Sequence, residues 1–181
     1  NGDSKFHHSS RSSQTKPIII TGDGNPEPQT EYFYWTQVGL DIDGEARNDY
    51  SGSSISLSAD GSIVAIGSTF NNGDNGQSSG HVRVYAYNDD DSSWQRRGDD
   101  IDGEVASDRS GTSVSLSANG SVLAIGATKN NGDNAVLSGH VRVYRYNPNK
   151  ATVVTDQSAT NYGPIGWDRI GKDIDGESLV D

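Results

Sequence analysis

The chain has 181 residues, of which 31% are apolar, and its formal net charge at pH 7 is −11. A surface this acidic repels nucleic-acid phosphates and anionic lipid, so no nucleic-acid partner is expected, and no apolar run is long enough for membrane insertion. The absence of cysteine excludes disulfides, thiolate metal sites and cysteine nucleophiles. The 22 glycines, with abundant Ser, Asn and Asp, favour an all-β chain rich in turns.

Residues 1–34 are predicted to form a degenerate partial repeat. Its opening Asn-Gly-Asp triplet recurs twice later in the chain, and residues 17–20 are its expected strand. Tyr32, Phe33 and Tyr34 form an aromatic cluster at its end. Such a cluster either packs into a core or stacks on the sugar rings of a ligand.

Two full repeats follow, at residues 35–93 and 94–147. Residues 35–88 align without gaps to residues 94–147 at an offset of 59, and 35 of the 54 aligned positions are identical. An insertion or linker at 148–166 precedes the start of a further repeat at 167–181. Self-similarity at a fixed period is the signature of a repeat architecture.

Each full repeat is predicted to contain four short antiparallel strands. Alternating residues mark the first and third strands, whereas an apolar run on both faces marks a buried second strand. An Asp-Gly pair favours a tight hairpin turn between the first two. No segment shows a convincing helical period. In the first repeat the strands are expected at 53–58, at 63–67, at 82–87 and from Trp94 towards Ile101, with a polar loop at 71–80.

Four antiparallel strands per repeat of 59 residues suggest a β-propeller blade. One such sheet cannot bury both of its faces, and stacking of neighbouring sheets solves that problem. The predicted fold class is therefore all-β, with β-propeller-like tandem four-stranded antiparallel blades that form an incomplete ring in this chain.

The repeat also resembles a known family. Gly52-x-Ser54-Ile55-Ser56-Leu57, Asp60-Gly61, Val64-Ala65-Ile66-Gly67 and Gly80-His81-Val82-Arg83-Val84-Tyr85 resemble FG-GAP repeats of the integrin-α type of β-propeller, and the second repeat preserves these motifs from Gly111 to Tyr144. The wider frame with Asp-Ile-Asp-Gly-Glu is similar to repeats of marine microbial and algal surface proteins. The resemblance implies a seven-bladed ring in the complete protein and an extracellular or cell-surface location for adhesion or ligand display.

The sequence departs from that family at the family's calcium loop. The D-x-D-x-D-G pattern expected between the first two strands is reduced to Ser58-Ala59-Asp60-Gly61 in one repeat and to Ser117-Ala118-Asn119-Gly120 in the other. The usual calcium site of the family therefore does not carry over to this chain.

A different acidic motif is the main candidate for metal binding. Calcium takes about six to eight oxygen ligands, and alternating carboxylates around a glycine can supply several of them. The alternative is that Asp and Gly only shape a turn between blades. The candidate calcium ligands recur in all three copies of the motif: Asp41, Asp43, Glu45, Asp49, Asp100, Asp102, Glu104, Asp108, Asp173, Asp175, Glu177 and Asp181.

Other recurring polar and aromatic residues have structural interpretations beside functional ones. The Asn-rich stretches 71–75 and 130–134 offer oxygen ligands, but Asn and Gly also favour left-handed turns. His81 and His140 recur in Ser-Gly-His-Val and are expected to be structural hydrogen-bonding groups. Core packing or packing between blades is expected of the recurring Trp35, Trp94 and Trp167.

The predicted function is a non-catalytic extracellular module for adhesion or for binding a protein or glycan partner. The carboxylates recur with the repeat, whereas an active site needs a unique constellation of groups. One alternative is a structural building block of an extracellular filament or sheath, formed by self-assembly with other chains or with missing blades. Another is part of a propeller enzyme that acts on polysaccharide.

Overall fold

The computed structural model describes residues 34–132, 136–149, 166–171 and 174–175. The chain divides into two compact units, residues 1–36 and residues 37–181. The predicted strand at 17–20, Tyr32, Phe33 and most of the insertion at 148–166 lie outside the described residues. Within the described ranges every element is a β-strand, and no helix there could cross a membrane. The predicted all-β class is confirmed.

The first sheet contains five strands in the order β1-β2-β3-β4, with the short β5 paired to the beginning of β3. Pairing is antiparallel throughout the sheet. The predicted fourth strand is split, because the chain leaves the sheet between Arg96 and Ile101. The strands are β1 (Ser51–Leu57), β2 (Ile63–Ser68), β3 (His81–Asn88), β4 (Ser93–Arg96) and β5 (Ile101–Asp102).

The second sheet repeats this arrangement. Its order is β6-β7-β8, and both β9 and β10 pair with β8. Trp167, which opens the third sequence repeat, therefore supplies an edge strand of this sheet, as Trp94 does in the first. The strands are β6 (Ser110–Leu116), β7 (Val122–Ala127), β8 (His140–Tyr146), β9 (Trp167–Arg169) and β10 (Ile174–Asp175).

The two sheets pack face to face through what we term their inner faces. On the first sheet this face carries Ile63, Ala65, Val82, Val84 and Ile101. The second sheet contributes the buried side chains of Leu123, Ile125, Tyr144 and Trp167, with Val114 and Leu116 packed beside them.

Three hydrogen bonds beside this apolar core join β1 and the turn after it to β6 and the turn after that strand. The hydroxyl of Ser54 donates to the carbonyl of Gly111 at 2.7 Å, and the amide of Leu116 donates to the hydroxyl of Ser56 at 2.9 Å. The third bond runs from the amide of Ala59 to the carbonyl of Ala118 at 2.8 Å. β1 therefore binds along β6 by polar as well as apolar contacts.

The opposite, outer face of the first sheet carries a smaller apolar cluster. Val64, Ile66 and Tyr85 are buried there, and Ile42 and Trp94 pack against them. Ile55 and Leu57 of β1 belong to the same face, but they are 65% and 55% exposed. The described residues before β1 therefore cover one end of this face.

Candidate functional site: the charged clusters at the repeat junctions

The acidic residues of the motif in the second repeat do not converge on one site. Asp100 lies just before β5, where its carboxylate pairs with Arg83 and Arg96. Ile101 between the two aspartates is buried in the apolar core. Asp102 is partly buried in β5, and this burial raises the pKa of its carboxyl. Glu104 lies beyond the sheet and contacts different cations.

Arg83 is the centre of the first charged cluster. It is buried on β3, and its Nε donates to Asp100 at 3.0 Å. Its guanidinium also forms an ion pair with Glu45, which comes from the stretch before β1. A buried guanidinium is stable only when it is paired, so Arg83 requires both carboxylates. The cluster ties the stretch before β1 to β3 and to the segment after β4.

Arg142 forms the equivalent cluster at the junction of the two sheets. Its Nη2 donates to the backbone carbonyl of Asp102 at 2.6 Å and to the hydroxyl of Ser110 at 3.1 Å. Glu104 lies 4.0 Å from its Nη1 and 3.4 Å from Arg169. Because Arg142 belongs to the second sheet and Asp102 to the first, this arginine joins the two sheets.

The recurring histidines adjoin these clusters. His81 is buried at the start of β3, with its Nδ1 3.9 Å from Asp100. Burial lowers the pKa of His81, and the nearby carboxylate of Asp100 opposes this effect without cancelling it. His140 occupies the same place in β8, 3.8 Å from Glu104.

Two buried nitrogen atoms at the second cluster have no hydrogen-bond partner among the described residues. These are Nε2 of His140 and Nε of Arg142. In the first sheet the equivalent arginine Nε, that of Arg83, donates to Asp100. The repeat alignment places Asp173 where Asp100 stands, and Asp173 lies outside the described residues.

The aspartates that end the motif, Asp49 and Asp108, each accept hydrogen bonds from a turn and from the loop that follows it. Asp108 is almost fully buried, and its Oδ2 accepts bonds from the amides of Glu104 and Val105 at 3.1 and 2.9 Å. The same oxygen accepts from the side-chain amide of Asn130 at 2.9 Å. Asp49 makes the equivalent bonds with Ala46 and Asn71. Both carboxylates therefore hold a turn against the following loop.

The remaining predicted ligands are distributed as follows. Asp41 and Asp43 are exposed and line an open depression of about 290 Å³ whose apolar part includes Tyr85 and Trp94. Asp41 accepts a bond from Gln37 at 2.8 Å. The backbone of Asp175 belongs to β10. Asp173, Glu177 and Asp181 lie outside the described residues.

One group in the described part has the spacing of a metal site. Potential ligand atoms of Glu45, His81 and Asp100 all lie within 4.8 Å of one another. An imidazole with two carboxylates is a donor set of zinc rather than of calcium, which prefers oxygen. Arg83 already pairs with both carboxylates, so a cation at this place would compete with its guanidinium.

The described residues of the Asn-rich loops use their side chains to form turns, which was the structural one of the two interpretations given above. Asn72 Oδ1 accepts from the amide of Ser78, and Asn131 Oδ1 accepts from the amide of Leu137, each at 3.0 Å. Asn75 Nδ2 donates to the carbonyl of Gly103 at 2.7 Å. Asn72 and Asn131 therefore close their own loops, and Asn75 fixes the first loop to the second repeat.

The tryptophans that open the repeats occupy different surroundings. Trp167 is fully buried, and its indole N–H donates to the carbonyl of Arg97 at 2.9 Å. Trp94 is half-buried and donates to the carbonyl of Val38 at the same distance. Trp35 belongs to the unit of residues 1–36, and its side chain is exposed.

Sequence reasoning missed two structural features. One is the pair Arg83 and Arg142, which the repeated His-Val-Arg-Val motif signals by placing a charge in a strand predicted to pack. The other is the Val136–Leu137 tip of the β7–β8 loop, where the two side chains are 79% and 60% exposed. The first repeat has the polar Gln77 and Ser78 at these positions, so this departure from the repeat was the available signal.

A comparison with models of known protein families finds no family that matches this chain, and a comparison with curated proteins finds no match. The resemblance to FG-GAP repeats therefore stays a prediction.

Proposed function

We propose that this chain is part of a non-catalytic, extracellular β-propeller-like module of the FG-GAP type, which binds a protein or glycan partner. The observation that carries the proposal is the stacking of two equivalent sheets, each completed by a strand from the following sequence repeat. Repeats joined in this way form a rigid support, and loops on such a support are suited to binding.

The partners of the recurring acidic groups favour a structural role for them. Asp100 is paired with Arg83, Glu104 with Arg169, and Asp108 with backbone and side-chain amides. A catalytic carboxylate has to face a substrate, whereas these groups face the protein. Their recurrence reflects a contact that each junction between repeats needs.

The Val136–Leu137 tip is the proposed partner contact. Leu137 has a backbone φ of 57°, a left-handed conformation that is uncommon for a bulky side chain. Two exposed apolar side chains in a strained loop are costly for the isolated chain and useful in an interface. Because the chain carries a formal net charge of −11 at pH 7, a neutral or cationic partner suits it better than an anionic one.

Binding by the full chain tests this proposal. The immobilised protein is titrated with dextran, polylysine and heparin as neutral, cationic and anionic probes, at about 0.15 M salt to screen weak charge effects. We expect saturable binding of dextran or polylysine, which Leu137→Ser weakens at least several-fold. Val105→Ser, which changes another exposed apolar loop residue, is the matched control and should bind as the original chain does.

Two results would remove the proposal. Binding that Leu137→Ser leaves unchanged would exclude the tip as the partner contact. Release of new reducing ends from a polysaccharide by the original chain would show an enzyme in place of a binding module.

Calcium is proposed as an ion that stiffens the module, and among the described residues Asp41 and Asp43 are the candidate ligands that we assign to it. Their carboxylates are exposed and line one depression, whereas a guanidinium already occupies the Glu45 and Asp100 pair. An ion that binds only the folded state raises the melting temperature. We expect calcium to raise it more than magnesium does at equal ionic strength, and Asp43→Asn to remove the difference. Equal shifts with both ions would eliminate calcium.

A second candidate function is that of a structural building block. The observation that favours it is the exposure of Ile55 and Leu57 on the outer face of the first sheet, since their equivalents Val114 and Leu116 are partly buried and packed against the core. A repeat that leaves such a face open can bind another repeat there.

A further inference from the structure

We infer that two copies of this chain bind head to tail, with the outer face of the second sheet of one copy against the outer face of the first sheet of the next. This inference deepens the building-block candidate. It rests on the packing of the two sheets and not on partner binding by the loop tip, so either one can fail while the other holds.

The apolar residues of the two open faces match those of the closed junction. The outer face of the second sheet carries Val122, Ala124, Val141 and Val143, which are only partly buried. Their equivalents in the first sheet, Ile63, Ala65, Val82 and Val84, are buried beneath the second sheet. In this chain such a face is therefore covered by the sheet of another copy of the repeat.

The polar groups of the open faces match in the same way. At the closed junction Ser54 donates to the carbonyl of Gly111, and Ser56 accepts from the amide of Leu116. The equivalents of the two serines, Ser113 and Ser115, are exposed on the second sheet. Their partners in a second copy are the carbonyl of Gly52 and the amide of Leu57, both on residues exposed at β1.

Two glycines show that the open face has room for a neighbour. A Cβ added at Gly120 would lie 2.3 Å from Ile63 of the first sheet, and one added at Gly111 would lie 2.6 Å from the carbonyl oxygen of His81. At Gly61 and Gly52, the equivalent positions of the first repeat, an added Cβ would meet nothing within 4 Å. The first sheet thus keeps the shape that close packing requires, without the packing.

Joining two copies requires one local rearrangement. At the closed junction Ile101 packs with Trp167, whose indole donates to Arg97, and at the open face Ile42 packs near Trp94, whose indole donates to Val38. In a joined pair, Ile174 of the other copy would take the place that Ile42 holds. The stretch around Ile42 has to move away from Trp94 before the stretch around Ile174 of the other copy can bind there. Association should therefore be slow, and samples should be incubated before measurement.

A head-to-tail contact uses a different surface on each partner, so it extends into a filament or closes into a ring. The measurement is sedimentation velocity of the full chain over a range of concentrations at low and high salt. We expect oligomers larger than dimers, favoured by salt because salt screens repulsion between chains of net charge −11. A chain that sediments as a monomer at every concentration and salt would overturn the inference.

Two singly blocked variants make the test specific. Ile55→Arg blocks the first sheet and Ser113→Arg blocks the second, and both residues are exposed, so the chain should still fold. Each variant alone lacks one of the two faces that every contact needs, so it should sediment as a monomer. An equimolar mixture should form one-to-one dimers, because each variant retains one functional face. Asn149→Arg, an exposed change outside both faces, should assemble as the original chain does.

These outcomes separate the proposed contact from any other self-association. Oligomers that persist unchanged in both blocked variants would show that another surface is responsible. Unaltered melting temperatures of the variants would confirm that loss of assembly does not reflect unfolding.

Discussion

At the scale of single residues, the buried carboxylate of Asp108 is predicted to contribute most to stability among the charged groups. It accepts three hydrogen bonds, and Asp108→Ala would leave the buried amide of Asn130 and two partly buried backbone amides without this acceptor. We expect a loss of about 2–4 kcal/mol in the free energy of unfolding, measured by urea denaturation. Asp90→Ala, at an exposed position, should change it by less than about 0.5 kcal/mol. Equal losses of unfolding free energy in the two variants would show that the hydrogen bonds to Asp108 do not stabilise the fold.

His81 provides a second prediction at this scale. Burial lowers its pKa in the folded state, so the unfolded chain takes up a proton at a higher pH than the folded chain does. The contribution of neutral His81 to the free energy of unfolding is therefore fully present above the ordinary histidine pKa of about 6.5. This contribution is lost as the pH falls below that value. Melting temperatures between about pH 7.5 and 5.5 should fall for the original chain and fall less for His81→Asn. Parallel profiles would show that His81 does not titrate differently in the two states.

At the scale of strands and turns, the sequence was a good guide where the signal is local. Alternation in β1 and β3, the apolar run of β2 and the Asp-Gly turn all depend on neighbouring residues, and the structure has these elements where they were predicted. The interruption of the fourth strand after Arg96 was not predicted. The ion pair between Asp100 and Arg83 accompanies this interruption, and the residues next to Asp100 do not indicate that pairing. Nor does the motif itself reveal its ion pairs, because Glu45 and Arg83 are far apart in the chain.

The contact between sheets leads to a prediction for two equivalent glycines. A Cβ added at Gly67 would lie 2.2 Å from the backbone oxygen of Gly111 in the other sheet. At Gly126, the same position of the second sheet, the nearest atom is the hydroxyl of Ser113 at 2.4 Å, which a side-chain rotation can move. Gly67→Ala should therefore cost about 1–3 kcal/mol more than Gly126→Ala in urea denaturation. Equal costs would show that the sheets separate easily at this point.

At the scale of the whole described unit, the two sheets share one apolar core, and this sharing has a consequence for unfolding. Each inner face covers the other, so a separated sheet would expose the residues that hold it together. Hydrogen bonds from β1 to β6 and from Arg142 to the carbonyl of Asp102 would be lost in the same step. The sheets are therefore expected to unfold together, unlike repeats that are stable alone.

Tryptophan fluorescence can test this cooperativity sheet by sheet. Trp94 reports on the first sheet and Trp167 on the second, so two variants that each retain one of them, with the other tryptophans changed to Phe, separate the signals. Because each change removes an indole hydrogen bond, fluorescence is compared with far-ultraviolet circular dichroism of the same variant. We expect the two urea midpoints to coincide in both variants, as in a two-state transition. A fluorescence midpoint that precedes the dichroism midpoint in one variant would show that its sheet unfolds first, and the stack would then be a chain of weakly coupled repeats.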